Sequence, residues 1–158
     1  MARIEDDRSI VAEGIARYFG DLKAVDGVDL NIGSGRILGF LGPNGSGKST
    51  TVKVLTTILA PTAGTARVAG LDVSKEQEQV RYRLSDTLRW IVSQRLVPKE
   101  GGGRFPLLEI MGSNLRTKES IILGESEGKS FYEIIEASQT FGWCTFDHAA
   151  LEAYKNGI

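Results

Sequence analysis

The sequence predicts an α/β fold with a mixed sheet in its N-terminal half and a mainly helical C-terminal half. Three observations carry this. The apolar run Ile37-Leu-Gly-Phe-Leu41 leads into Gly42-Pro-Asn-Gly-Ser-Gly-Lys-Ser-Thr50, and a run with helical spacing leads out. Residues 24–32 alternate, with Val28, Leu30 and Ile32 on one face and Asp29 and Asn31 on the other, the pattern of a half-buried strand. Beyond Ser74 the spacing becomes helical, through Val80, Leu84, Leu88, Ile91, Val92 and Leu96.

Taken in order, residues 1–8 read as a polar start and residues 9–18 as a strand holding Ile10, Val11 and Ile15. Gly20-Asp21 marks a turn, so the strand at 24–32 runs antiparallel to the first. Gly33-Ser-Gly35 is a second turn. Residues 36–41 are apolar on both faces, as a central strand covered on both sides requires. A helix over 49–59 places Val52, Leu55, Ile58 and Leu59 on one face and stops before Pro61. A short strand at 65–69 joins the antiparallel strands. Ser74 caps a helix spanning 76–97, which Pro98 and Gly101-Gly-Gly103 end. A strand at 105–111 and three short helices at 114–123, 131–141 and 146–154 complete the chain.

The segment 42–50 matches G-x-x-x-x-G-K-[ST] between a strand and a helix, the context that defines a phosphate-binding P-loop. Gly42, Gly45 and Gly47 let the backbone approach phosphates closely. The amides of Pro43-Asn44-Gly45-Ser46-Gly47 and the helix N-terminus then face one concavity (Pro43 itself has no N–H), and the helix dipole favours an anion there. Lys48 reaches the β- and γ-phosphates and is the expected transition-state stabiliser. Ser49 is the expected Mg²⁺ ligand, and Thr50 a second phosphate contact. The expected fold is therefore P-loop NTPase-like, with a nucleotide and Mg²⁺ as cofactors.

Composition narrows the alternatives. Formal net charge is −1 over 158 residues, and neither half is basic enough for a nucleic-acid surface. Cys144 is the only cysteine, which rules out a disulfide within the chain and suits a reducing cytoplasm. No apolar run is long enough to span a bilayer. Residues 1–8 are too charged for a signal peptide. The expected location is the cytoplasm, with membrane association only through a partner and no direct insertion.

Residues 10–73 resemble the N-terminal part of an ABC transporter nucleotide-binding domain of the daunorubicin-resistance exporter type. The matching text is Arg17-Tyr-Phe-Gly-Asp21, Ala24-Val-Asp-Gly-Val28, the P-loop, Pro61-Thr-Ala-Gly-Thr65 and Val68-Ala-Gly-Leu-Asp-Val73. The resemblance implies that Phe19, before Gly20, stacks on adenine; a ring packed in the core is the other reading of that position. It also implies a membrane permease partner or a homo-oligomer. Residues 76–158 resemble the C-terminal end of a type IV pilus retraction ATPase, through Leu88-Arg-Trp-Ile-Val-Ser-Gln-Arg-Leu96, Gly103-Arg-Phe-Pro-Leu-Leu-Glu-Ile-Met111 and Thr145-Phe-Asp147. The implied arrangement is two regions, 1–74 and 75–158, joined near 72–79 as in a fusion.

Neither resemblance brings a full catalytic set, because no L-S-G-G-Q signature, Walker B acid or switch histidine is present. Glu109 imitates a Walker B acid but sits in mid-strand, and Gln94 imitates a water-contacting glutamine but falls in a predicted helix. Gly124-Glu-Ser-Glu-Gly-Lys-Ser130 imitates a second P-loop but has Leu123 where the first glycine belongs. It reads as a loop between helices. His148 reads as a helix first-turn residue capped by Thr145, and Cys144 as an apolar filler. The functions implied are Mg-ATP binding with hydrolysis as the family activity, a nucleotide-binding or oligomerisation module without turnover, or a non-natural fusion lacking a complete catalytic site.

Overall fold

The computed structural model describes residues 10–99 and 101–157. The polar start expected at residues 1–8 lies outside them. Two compact units make up the chain, Met1–Leu84 and Ser85–Ile158.

The first unit is built on a four-stranded sheet. Strands β1 (Ile10–Phe19), β2 (Leu22–Ile32), β3 (Ala63–Val68) and β4 (Leu71–Asp72) stand in the order β2-β1-β3-β4. Every pairing is antiparallel. The Gly20-Asp21 turn sets Phe19 opposite Leu22, and after register shifts between Ala12 and Tyr18 the far end pairs Ile10 with Ile32. Helix α1 (Lys48–Leu55) covers one face. Its Val54 and Leu55 pack into a core with Ala12, Ile15, Val25, Ala66 and Val73. α1 ends before the expected boundary at 59. Thr57 takes φ 63°, and the amides of Ile58 and Leu59 both turn back to the Lys53 carbonyl, a left-handed helix closure.

The expected strand at 36–41 does not form. Among the described residues its backbone has no ladder partner. Ile37 is 100% and Leu41 94% exposed. A parallel strand needs neighbours joined by crossover connections, and none lies beside it among the described residues. The α/β class holds, with the sheet antiparallel throughout.

Helix α2 (Gln77–Thr87) crosses the boundary between the units. Its early turns belong to the first unit, because Val80 is buried and Arg81 Nε donates to Thr57 Oγ1 at 3.1 Å. The second half of the expected 76–97 helix is a strand instead. β5 (Trp90–Pro98) pairs antiparallel with β6 (Arg104–Gly112) from Trp90–Gly112 to Pro98–Arg104. Its β-branched and aromatic residues find a cross-strand partner, and that pairing overrides a helical period that a short apolar run only imitates.

The hairpin is followed by α3 (Leu115–Leu123), α4 (Phe131–Glu136), a 3₁₀ turn at Gln139–Phe141 and α5 (Phe146–Lys155). Asn114 caps α3, Ser130 caps α4 in a reciprocal box with Glu133, and Thr145 caps α5 by accepting from the His148 amide. Met111, Ile134, Ile135 and Trp143 form the core of this unit. Two backbone bonds between Ile110 and Cys144, at 2.8 and 3.1 Å, tie the segment before α5 to β6.

Candidate functional site

The segment 42–47 is an open loop on the first unit. Gly42 through Ser46 are all exposed, so no side chain seals the loop. Gly47 closes it as the N-cap of α1, with φ 84° and ψ 0°. A Cβ at Gly47 would lie 2.5 Å from the Ala24 carbonyl oxygen and 3.2 Å from Val25 Cγ2. Glycine is required here on two counts, the left-handed backbone and the close approach to β2. The loop is thereby seated on the start of that strand.

The loop leaves its donors free. The first helical bond of α1 runs from the Thr51 amide to the Gly47 carbonyl at 2.8 Å. Among the described residues, the amides of Gly45, Gly47, Lys48, Ser49 and Thr50 have no acceptor. Three of these are the orphan N–H groups of a helix start, where the dipole is positive. The Lys48 ammonium folds back over the loop. Its Nζ donates to the Gly42 carbonyl at 2.8 Å, the Pro43 carbonyl at 2.7 Å and Ser46 Oγ at 3.3 Å. The Ser49 side chain is exposed and has no partner among the described residues. Asn44 is exposed at the loop's apex. A cation, a serine hydroxyl and a row of free amides thus share one short loop.

Phe19 ends β1 and is 45% exposed, with the Arg17 guanidinium 4.6 Å from its ring centroid. Arg17 is itself held by the Ala60 carbonyl at 3.0 Å. Phe19 pairs with Leu22, and Ala24, which abuts Gly47, is two residues further along. The ring and the loop therefore lie at the same end of β2. Beside them Tyr18 donates its hydroxyl to Asp26, and Lys23 Nζ sits 3.1 Å from the same carboxylate. The Tyr18 hydrogen bond and Lys23 together hold the Asp26 carboxyl below its ordinary range. The Tyr18 phenol is raised by the same bond. Sequence reasoning missed this cluster, though the i,i+3 spacing of Lys23 and Asp26 could have signalled it. Nothing in the sequence announces the Ala24 carbonyl as the seat of Gly47.

The imitations of missing catalytic parts all fall in the second unit, in structural roles. Glu109 lies within β6, opposite Ser93, and accepts from the Phe146 amide at 3.4 Å. Gln94 is on β5 opposite Leu108, not in a helix. In the loop 124–130, Glu125 accepts from the Phe131 amide at 2.7 Å and Lys129 pairs with Glu119 at 3.1 Å. That lysine is occupied and the helix start is filled by a carboxylate, so the loop does not imitate the first one. Burial raises the Cys144 thiol, as suits a filler. No group of three or more His, Cys, Asp or Glu placed to hold a metal exists among the described residues.

The stretch that holds this loop is similar to known proteins. Residues 25–102 match the family model described as ABC transporter. This stretch resembles an ABC transporter ATP-binding domain. The match continues through α2 and β5, beyond the 72–79 seam inferred from the sequence. The daunorubicin/doxorubicin resistance ATP-binding protein DrrA of Streptomyces peucetius is 50% identical over 80 residues, covering 51% of this chain and 24% of the relative. The daunorubicin resistance ATP-binding protein DrrA3 of Streptomyces coeruleorubidus is 47% identical over 78 residues, covering 49% of this chain and 25% of the relative. The chain thus spans about a quarter of the length of these ABC relatives. A nucleotide-free ATP-binding cassette from an ABC transporter aligns with 49% of this chain and 30% of its own, at 33% identity and a TM-score of 0.43. Among the described residues no helix is long and apolar enough to cross a membrane.

Proposed function

We propose that this chain binds Mg-ATP at residues 42–50, with ATP hydrolysis the activity of the ABC proteins it resembles. The observation that carries the reading is the set of amides without acceptors at the start of α1, with the Lys48 ammonium resting on the loop carbonyls beside them. A triphosphate offers that ammonium a full negative charge in place of two carbonyl dipoles, and offers the amides their missing acceptor. Phe19 takes the base against its exposed ring, at the end of β2 where the loop is seated.

The residues present fit a nucleotide-borne Mg²⁺. Such an ion keeps several waters and takes one or two protein oxygens beside the phosphates, and the unpartnered Ser49 hydroxyl is a protein oxygen at the loop. Bound Mg²⁺ supplies charge neutralisation at the transferring phosphoryl group. The chain's own share is to hold the phosphates through its amides and to stabilise developing charge through Lys48.

A second reading, nucleotide held without turnover, has its own support. Among the described residues no carboxylate or histidine is hydrogen-bonded to any residue of the loop. On either reading the chain works in the cytoplasm, beside a membrane permease or in a homo-oligomer that completes the site. The second unit serves a structural role, as in the C-terminal ends of pilus retraction ATPases.

Isothermal titration of Mg-ATP into the chain and its Lys48→Ala variant, with phosphate release followed on the same samples, tests the proposal. The chain should bind saturably. Lys48→Ala should weaken binding about 10- to 100-fold, the worth of one charge-assisted hydrogen bond. Turnover that Lys48→Ala abolishes selects the first reading, and binding without turnover the second. No saturable binding at millimolar Mg-ATP refutes both.

A further inference from the structure

The second unit holds a cavity of about 440 Å³ at the open end of the β5–β6 hairpin. This is the size range of small-molecule sites. Three aromatic side chains line it: Trp90, Phe141 and Trp143. Trp143 is its fixed wall. It is buried in the unit's core and tilted 50° against Phe141, with ring centroids 6.4 Å apart. Gly112, opposite Trp90 in the ladder, makes room for it, since a Cβ there would lie 2.6 Å from the indole nitrogen.

The polar groups in the cavity are all able to donate. Ser113 Oγ is buried and has no hydrogen-bond partner among the described residues. Asn114 spends its carbonyl oxygen capping α3, on the Thr117 amide at 2.9 Å and the Thr117 hydroxyl at 3.1 Å. Its NH₂ group is left without an acceptor among the described residues. Arg89 also lines the cavity and has no ion pair among the described residues. Asp86, the carboxylate whose charge Arg89 feels, is paired with Lys118 at 2.9 Å. Among the described residues no carboxylate lines the space. A buried hydroxyl without a partner costs free energy that a ligand acceptor would recover.

We propose that this cavity binds a planar aromatic anion of the aryl carboxylate class. Its ring lies among Trp90, Phe141 and Trp143, where flat apolar walls favour stacking. Its carboxylate meets Arg89, Ser113 and Asn114, a donor set that complements an acceptor-only group. The site is independent of the nucleotide reading, since every lining residue belongs to the second unit.

The test is calorimetric titration of the full chain with 2-naphthoate and with 2-naphthamide, which keeps the ring and loses the charge. Naphthoate should bind saturably, with Kd at or below roughly 1 mM. The amide should bind about tenfold more weakly. Arg89→Gln should remove that difference, and Ser113→Ala should weaken naphthoate while circular dichroism shows an unchanged fold. Lys48→Ala should leave naphthoate binding unaltered, which separates this site from the nucleotide loop. The proposal is overturned by absence of saturable binding, by equal affinity for acid and amide, by indifference to both Arg89→Gln and Ser113→Ala in folded protein, or by loss of binding in Lys48→Ala.

Discussion

Gly47→Ala tests the seating of the loop on β2. Two costs add. Alanine must adopt φ 84°, a left-handed conformation that costs a non-glycine residue about 1–2 kcal/mol. Its Cβ must also clear the Ala24 carbonyl oxygen, 2.5 Å away in the present backbone. That oxygen belongs to Ala24, which lies at a register shift of β2 between the paired residues Lys23 and Val25, so the loop or that carbonyl must give, at about 1–3 kcal/mol by analogy with overpacking. The total is about 2–5 kcal/mol, a large share of a domain's stability. Gly45→Ala is the control. Gly45 has φ 83° but nothing within 4 Å of its added Cβ, so it bears the first cost alone. Urea unfolding followed by far-UV circular dichroism gives both values. Both tryptophans, Trp90 and Trp143, lie in the second unit, so their emission reports that unit separately. Gly47→Ala should exceed Gly45→Ala by about 1–3 kcal/mol, with the excess absent from the tryptophan signal. Equal losses in the two variants would mean that the loop does not rest on Ala24.

Other expectations follow from the same geometry. Tyr18→Phe removes the main hydrogen bond to Asp26, so the Asp26 carboxyl should titrate closer to its ordinary range, as carbon-detected NMR can follow. Because its folded value is depressed, the stabilisation it brings is full above the ordinary carboxylate range and is lost as pH falls through the folded value. Tyr18→Phe should flatten that acid-side loss. Gly112→Ala pushes a methyl group to within 2.6 Å of the Trp143 ring; it should destabilise the second unit by about 1–3 kcal/mol and shift the tryptophan emission. Ser130→Ala breaks the capping box of α4 and should cost about 1 kcal/mol, seen as faster amide exchange at Glu133.

The loop was legible in the sequence because its chemistry is local. Glycine spacing, the lysine and the following helix lie within a dozen residues or so, and no distant partner is needed to shape them. The β1–β2 pair was legible for a similar reason, since Gly20-Asp21 sets the turn and alternation sets the face. Residues 36–41 were misread because a central strand is not a local object. The same apolar text is a strand between two neighbours and coil without them. Residues 90–97 were misread because leucine, isoleucine and valine at short spacing satisfy both periods, and only the partner strand at 104–112 decides. The seat of Gly47 and the cavity beside Trp143 were invisible. Each depends on a backbone carbonyl or an interior space, which has no signature in side-chain order.

The stretch before the loop has a practical consequence. Among the described residues its peptide bonds have no ladder partner, and Ile37 and Leu41 stand in solvent. Such a segment fits the extended groove of a digestive enzyme without first unfolding. Trypsin cutting after Arg36 would leave the β1–β2 hairpin on one fragment and Lys48 on the other, with Gly47 divided from the strand it leans on. Samples that fail to retain nucleotide should therefore be weighed by mass spectrometry for a nick at that bond before the loop itself is blamed.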